Sequence, residues 1–144
     1  MNMTISQLSV FVENKQGSMS SIAEALAEAN IDIRTLTIAD TTDFGILRLI
    51  VRDPESAKKM LQEKDFVVTV NQVIGVEVPD RVGGLAQVLR ILDDALINIE
   101  YMYDFLAIKE EKAYIIIRVE NNAKTVELLQ SHGIRCISDE DIIF

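Results

Sequence analysis

Two short stretches hold the residue types that could bind a small charged molecule. ENKQGSM (13–19) and PDRVGGL (79–85) each place a glycine, Gly17 or Gly83, just ahead of a run with helical spacing. Glycine at a helix start admits close approach of a ligand, and the unpaired amides of the first helical turn attract carboxylates. Asp32 in NIDI and Asn98 in LINI follow these glycines by fifteen residues each. Each is expected to begin the next strand beside the glycine turn, where its side chain would accept a hydrogen bond from an ammonium group. A carboxylate-binding turn with an acceptor beside it suits a zwitterionic amino acid. Asn14, Asp32, Asp80 and Asn98 also serve as ordinary turn formers, so a single such turn would carry little weight. Two matched copies carry more.

Traces of catalysis are few. His132, the only histidine, precedes Gly133 where a helix should end, and a cation there favours the helix dipole. Cys136, the only cysteine, stands in the alternating run IRCI and reads as a small buried apolar residue. The chain has no metal-ligand spacing, phosphate loop or nucleophile elbow, and no acid pair stands out as a general acid and base. A non-enzyme without cofactor or metal is expected.

The charge balance narrows the partners. Fourteen Lys and Arg stand against twenty-three Asp and Glu, a net charge of -9 and a pI near 4.6. A nucleic-acid backbone would be repelled by such a surface. The N-terminus lacks a cationic region followed by an apolar run, and no eighteen apolar residues run together. With one cysteine and no disulfide possible within the chain, a cytoplasmic protein away from membranes is expected.

The elements that must position the two turns are themselves written twice. SVFVENKQGSMSSIAEALAEANIDI lies over GVEVPDRVGGLAQVLRILDDALINI at an offset of 83 − 17 = 66. After a length change of two, FGILRLIVRDPESAKKMLQEKDFVVTV lies over KAYIIIRVENNAKTVELLQSHGIRCI, with Leu61 over Leu129. Each copy predicts strand, helix, two strands joined by a hairpin, helix, strand. In the first copy Leu8, Val10 and Val12 alternate; Ile22, Ala25, Leu26 and Ala29 mark a helix with Ser18 as its cap. Strands at 33–39 and 46–52, a helix opened by Asp53-Pro54, and a strand at 66–70 follow. In the second copy the strands are expected at 74–78, 99–107, 113–120 and 134–137, with helices at 85–95 and 123–131.

The expectation is therefore an α+β protein of two tandem βαββαβ, ferredoxin-like units, 1–72 and 73–144, each an antiparallel sheet with both helices packed on one face. Strand parity puts Phe11, Ile46, Ile50, Tyr101, Tyr103, Phe105, Tyr114 and Ile116 on the bare faces. So apolar a stripe predicts a homodimer through the sheet face. Asp104, at a nominally inward position, predicts a strand irregularity.

PDRVGGLAQVLRILDDALINIEYM resembles the ACT-domain signature: a polar residue before a Pro-Gly or related pair, a leucine-rich helix, an Asn-Ile pair, then a strand. The resemblance covers the chain as two tandem ACT units. Gln16 and Val82 stand where the family often has proline, and Ala95-Leu96 and Ala29-Asn30 where it has glycine. The resemblance implies a regulatory module that binds a free amino acid at the interface between units. Its ligand residues would be Asn14, Gly17, Ser18, Met19 and Asp32 in the first unit, and Asp80, Gly83, Gly84, Leu85 and Asn98 in the second. Turn amides would hold the carboxylate, Asp32 or Asn98 the amino group, and Leu36, Met102 or the tyrosines the side chain. A biosynthetic enzyme such as acetolactate synthase would be the regulated partner. The alternative is a protein-protein assembly module with vestigial ligand loops.

Overall fold

The computed structural model describes residues 3–40, 43–105 and 112–142. Its elements run β1 (Ile5–Glu13), α1 (Ser18–Glu28), β2 (Ile33–Asp40), β3 (Phe44–Val51), α2 (Pro54–Glu63) and β4 (Val67–Val78). They continue with α3 (Gly84–Asp94), β5 (Tyr101–Phe105), β6 (Ala113–Arg118), α4 (Asn122–Ser131), β7 (Cys136–Ile137) and a short 3-10 turn at Asp139–Asp141. The chain forms two compact units, one of Ser6–Asn71 and one of Gln72 onward together with the N-terminal stretch through Ile5. In the first the strand order is β2-β3-β1-β4, and in the second β5-β6-β4-β7. The strands expected at 66–70 and 74–78 are thus one strand, β4.

Each helix has a local reason to start and stop. Asp53 accepts a hydrogen bond from the Ser56 amide at 3.3 Å, with Pro54 at the first turn of α2. Asn121 does the same for Lys124 at 3.0 Å ahead of α4. These are side-chain caps satisfying otherwise unpaired first-turn amides. α1 and α3 are capped differently. The expected Ser18 cap is not formed; left-handed Gly17 and Gly83 take the cap position, with no side-chain bond. At the far ends Asn30, Asp65, Leu96 and Gly133 all turn left-handed, and the amide after each returns to a carbonyl five residues back, as in Ile31 to Leu26 and Ile97 to Leu92 at 2.9 Å. This 6→1 bond terminates the helix and drops an isoleucine or phenylalanine onto the core.

One face of each sheet meets its helices. In the first unit Leu8, Val10 and Val12 of β1 and Leu47, Leu49 and Val51 of β3 bury against Ile22, Leu26, Ala57 and Leu61. In the second, Ile74, Val76 and Val78 with Ile115 and Ile117 bury against Val88, Leu92, Val126 and Leu129. Full burial of each such side chain contributes roughly 1.5–3 kcal/mol relative to exposure.

The opposite faces differ from expectation. Phe11 and Ile46 are exposed, joined by Phe44, but Ile50 is buried. In the second unit Phe105, Tyr114 and Ile116 are buried within the chain, and Tyr101 and Tyr103 are half-buried. The bare apolar stripe is therefore confined to the first unit. Asp104 also needs no irregularity: β5 and β6 pair in regular register, Asp104 opposite Ile115, and it is exposed because β5 is an edge strand. The register shift lies in β2, between Ile33 and Thr35. The strand expected to run through Ala107 is described to Phe105, and the rest lies outside the described residues.

Candidate functional site

The two glycine turns share one backbone course. Lys15 N donates to Glu13 O and Arg81 N to Pro79 O, both at 2.9 Å, and the next bonds run from Ser18 N to Lys15 O (3.3 Å) and Gly84 N to Arg81 O (2.9 Å). Gly17 and Gly83 then turn left-handed at φ 88° and 86°, a conformation that costs other residues steric strain. Their carbonyls accept from the Ser21 and Gln87 amides at 3.0 Å. The amides of Met19 and Ser20, and of Leu85 and Ala86, are left without an intrachain acceptor among the described residues. Each turn thus presents two adjacent donors at the positive end of a helix dipole, a ready anion site.

Gly84 adds a restriction that Ser18 lacks. A Cβ on Gly84 would sit 1.8 Å from the Pro79 carbonyl oxygen. Asn14 and Asp80 are exposed, and Asn14 is fixed through its amide to Asp43 O at 2.9 Å.

Asp32 and Asn98 do not stand beside these turns within their own units. Glu13, which leads into the first turn, faces Phe44, whereas Ile33 faces Val51 at the other end of β3. Seven positions at about 3.3 Å each separate them by about 23 Å. In the second unit Val78 faces Ala113 and Tyr101 faces Arg118, and Asn98 precedes Tyr101. The physical reason is the helix between turn and strand, which carries the chain back along the full length of the sheet before the strand begins. There the Asp32 carboxylate pairs with the Arg34 guanidinium at 2.7 Å. Asn98 is exposed on the edge of a hollow of about 410 Å³ with Leu96, Glu120, Asn121 and Lys124.

Of the predicted ligand residues, Ser18 alone lines a further cavity of about 250 Å³, with Phe11, Phe44, Phe66, Val67 and Lys15. Sequence reasoning placed Phe11 on a bare face and missed the cavity. The signal was present: by the repeat, Phe11 and Phe44 fall on Glu77 and Lys112. The other reactive types play structural parts. His132 ends α4, its Nδ1 3.0 Å from Leu128 O. Burial raises the Cys136 thiol from 9.0 to about 11, which disfavours the thiolate. Among the described residues no cluster of three His, Cys, Asp or Glu could hold a metal ion, and no helix is long and apolar enough to cross a membrane.

The profile of the family described as "ACT domain pair" matches residues 3–144. The chain belongs to that family. Among solved structures, this ACT domain pair is similar to protein BT0572 from Bacteroides thetaiotaomicron, with 40% identity over 96% of this chain and 95% of that one, at a TM-score of 0.88. The regulatory subunit of aspartate kinase from Thermus thermophilus, in a ligand-free form, shares the fold at 13% identity, covering 88% and 91% of the chains with a TM-score of 0.63. A structure of aspartokinase alpha and beta subunits aligns at 17% identity over 92% and 94%, with a TM-score of 0.62. No curated protein matches the chain.

Proposed function

We propose that this ACT domain pair is a non-catalytic regulatory protein that binds a free amino acid between ACT units and passes its occupancy to a partner enzyme of amino-acid biosynthesis. The observation that carries this reading is the duplicated glycine turn, with two uncommitted amides at the start of α1 and again at the start of α3. A carboxylate fits such a donor pair. Turn and acceptor stand about 20 Å apart within a unit by the strand rise, so one unit alone does not offer both to a single small ligand. The carboxylate falls to the turn of Gly17, Ser18 and Met19 or to that of Gly83, Gly84 and Leu85, through the free amides that follow at the start of each helix, and the ammonium to Asp32 or Asn98. A homodimer supplies two more units and multiplies these pairings. Ligand binding then shifts the protein toward the arrangement it fits better, by no more than its differential affinity.

Thermal unfolding against each of the twenty amino acids tests the reading, because a ligand bound only by the native state raises the midpoint. At least one amino acid should raise it saturably. Asn98→Ala, at an exposed position, should weaken that response with the ligand-free midpoint unchanged. If no amino acid moves the midpoint, the amino-acid reading fails.

A further inference from the structure

The duplication supplies an internal control for the small cavity of the first unit. Phe11 faces Ile46 across β1 and β3, and Glu77 faces Tyr114 across β4 and β6. Phe44 and Lys112 each stand two residues before the facing residue, so both pairs are diagonal neighbours on matched strands. In the second unit the Lys112 ammonium closes on the Glu77 carboxylate at 3.0 Å. In the first, the two phenylalanine rings meet with centroids 4.9 Å apart, and both side chains are nearly half exposed, at 46% and 45%. The fold accepts an ion pair at this place, so the aromatic pair is not a requirement of folding.

Exposed apolar side chains in contact are the signature of a covered or ligand-bearing surface. The rings line the 250 Å³ cavity together with Phe66 and Val67. Its lining also includes Ser18 and charges of both signs, Lys15 with Glu13 and Asp65. Lys15 and Glu13 pair at 3.4 Å, each side chain about two-thirds exposed. An exposed pair contributes little, so its two charges are free to be exchanged for those of a zwitterion.

We propose that this cavity takes the side chain of an α-amino acid whose side chain is large and apolar. Its carboxylate meets Lys15 and Ser18, and its ammonium meets Glu13 or Asp65. The inference rests on the amino-acid reading above, adds the ligand class, and places the ammonium on Glu13 or Asp65 of the first unit instead of on Asp32 or Asn98. A second copy of the chain is the competing occupant. Among the described residues, however, only Phe11, Phe44, Ile46 and Val67 are large exposed apolar side chains at or beside the cavity, a small apolar centre for an interface.

The test gives the first unit the second unit's solution. The wild-type protein and Phe11→Glu/Phe44→Lys are titrated by calorimetry with L-phenylalanine and L-leucine, with glycine and L-serine as small controls, and their oligomeric states are read by light scattering. Wild type should bind L-phenylalanine or L-leucine and ignore the controls, and the double variant should bind at least tenfold more weakly, because the ligand side chain loses the apolar surface it would bury. Val67→Asp, at a position already exposed, reads the same cavity should the double variant fail to fold. If an amino acid binds wild type and the variants equally well, the cavity assignment falls and the amino-acid reading stands. If no amino acid binds wild type, both fall. If the variants change the oligomeric state and leave amino-acid binding untouched, the occupant is a second copy and the cavity assignment falls.

Discussion

The turn that opens α1 and the turn that opens α3 follow the same backbone course with different freedom. Both place a left-handed glycine at the helix cap and leave the second and third amides after it free, yet the residue directly after the glycine is Ser18 in one and Gly84 in the other. The bond closing the turn is 3.3 Å in the first and 2.9 Å in the second. The second turn is tight enough that Gly84 lies against the Pro79 carbonyl, where no side chain fits. Sequence duplication preserved the positions of the donors while the room around them diverged. The sheet faces diverged likewise, an aromatic pair in one unit and an ion pair in the other.

Exchanging residues between the units breaks or sharpens this contrast. The largest effect is expected for Gly84→Ser, which imports the first unit's residue into the tight turn. A Cβ 1.8 Å from a backbone oxygen forces the turn open at a cost of about 3 kcal/mol or more. The reverse exchange, Ser18→Gly, should cost under about 1 kcal/mol. Urea denaturation of the two variants measures the asymmetry, and equal losses would mean that the turns are alike after all.

A smaller contrast lies on the last strands. Cys136 of the second unit matches Val68 of the first by the offset of 68, and both are buried. Burial raises the Cys136 thiol from 9.0 to about 11, so between these values the unfolded chain releases a proton that the folded chain retains. Stability from this group is therefore full below about pH 9 and is lost as pH rises through about 11. Cys136→Val should flatten the alkaline limb of stability against pH relative to wild type, and an unchanged limb would place its cause elsewhere.

The smallest effect is expected where α1 and α3 end. Asn30 and Leu96 both hold φ near +60°, but asparagine tolerates this region and leucine does not. Leu96 is also 93% exposed, so its side chain packs against little. Leu96→Asn should stabilise by about 0.5–1 kcal/mol, readable as a rise in the urea midpoint, and a loss of stability would give the leucine a role that its exposure does not show.

Much of the fold was legible because the repeat doubled every signal. Alternation of Leu8, Val10 and Val12, helical spacing of Ile22, Ala25 and Leu26, and the Asp53-Pro54 start all correspond to elements in the structure. What escaped depended on contacts distant in sequence. The burial of Phe105, Tyr114 and Ile116 is a tertiary fact that strand parity does not carry. Nor does parity reveal that the chain between 70 and 74 continues as strand, since Asn71 and Gln72 read as a break. Asn71 in fact accepts the Ser9 hydroxyl at 2.7 Å, and Gln72 accepts that of Thr4 at 2.9 Å. Of the candidate site, the turns were readable from their glycines. The distance to Asp32 and Asn98 was not, because spacing along the chain is silent about which end of a sheet a helix returns to.

The membership of the first few residues bears on how the chain came to be double and how it must now be made. Met3 packs on the core of the second unit, and Ile5 lies beside Gly75, within 2.9 Å of where a Cβ on that glycine would be. Along the chain the first unit is therefore inserted between two stretches of the second, and the seam of inheritance runs elsewhere than the seam of folding. A polypeptide released from the ribosome as residues 73–144 would carry one full repeat yet lack its own lining. Nor can the second unit be completed by the later residues alone during synthesis, because its opening piece emerges first and must wait for the rest.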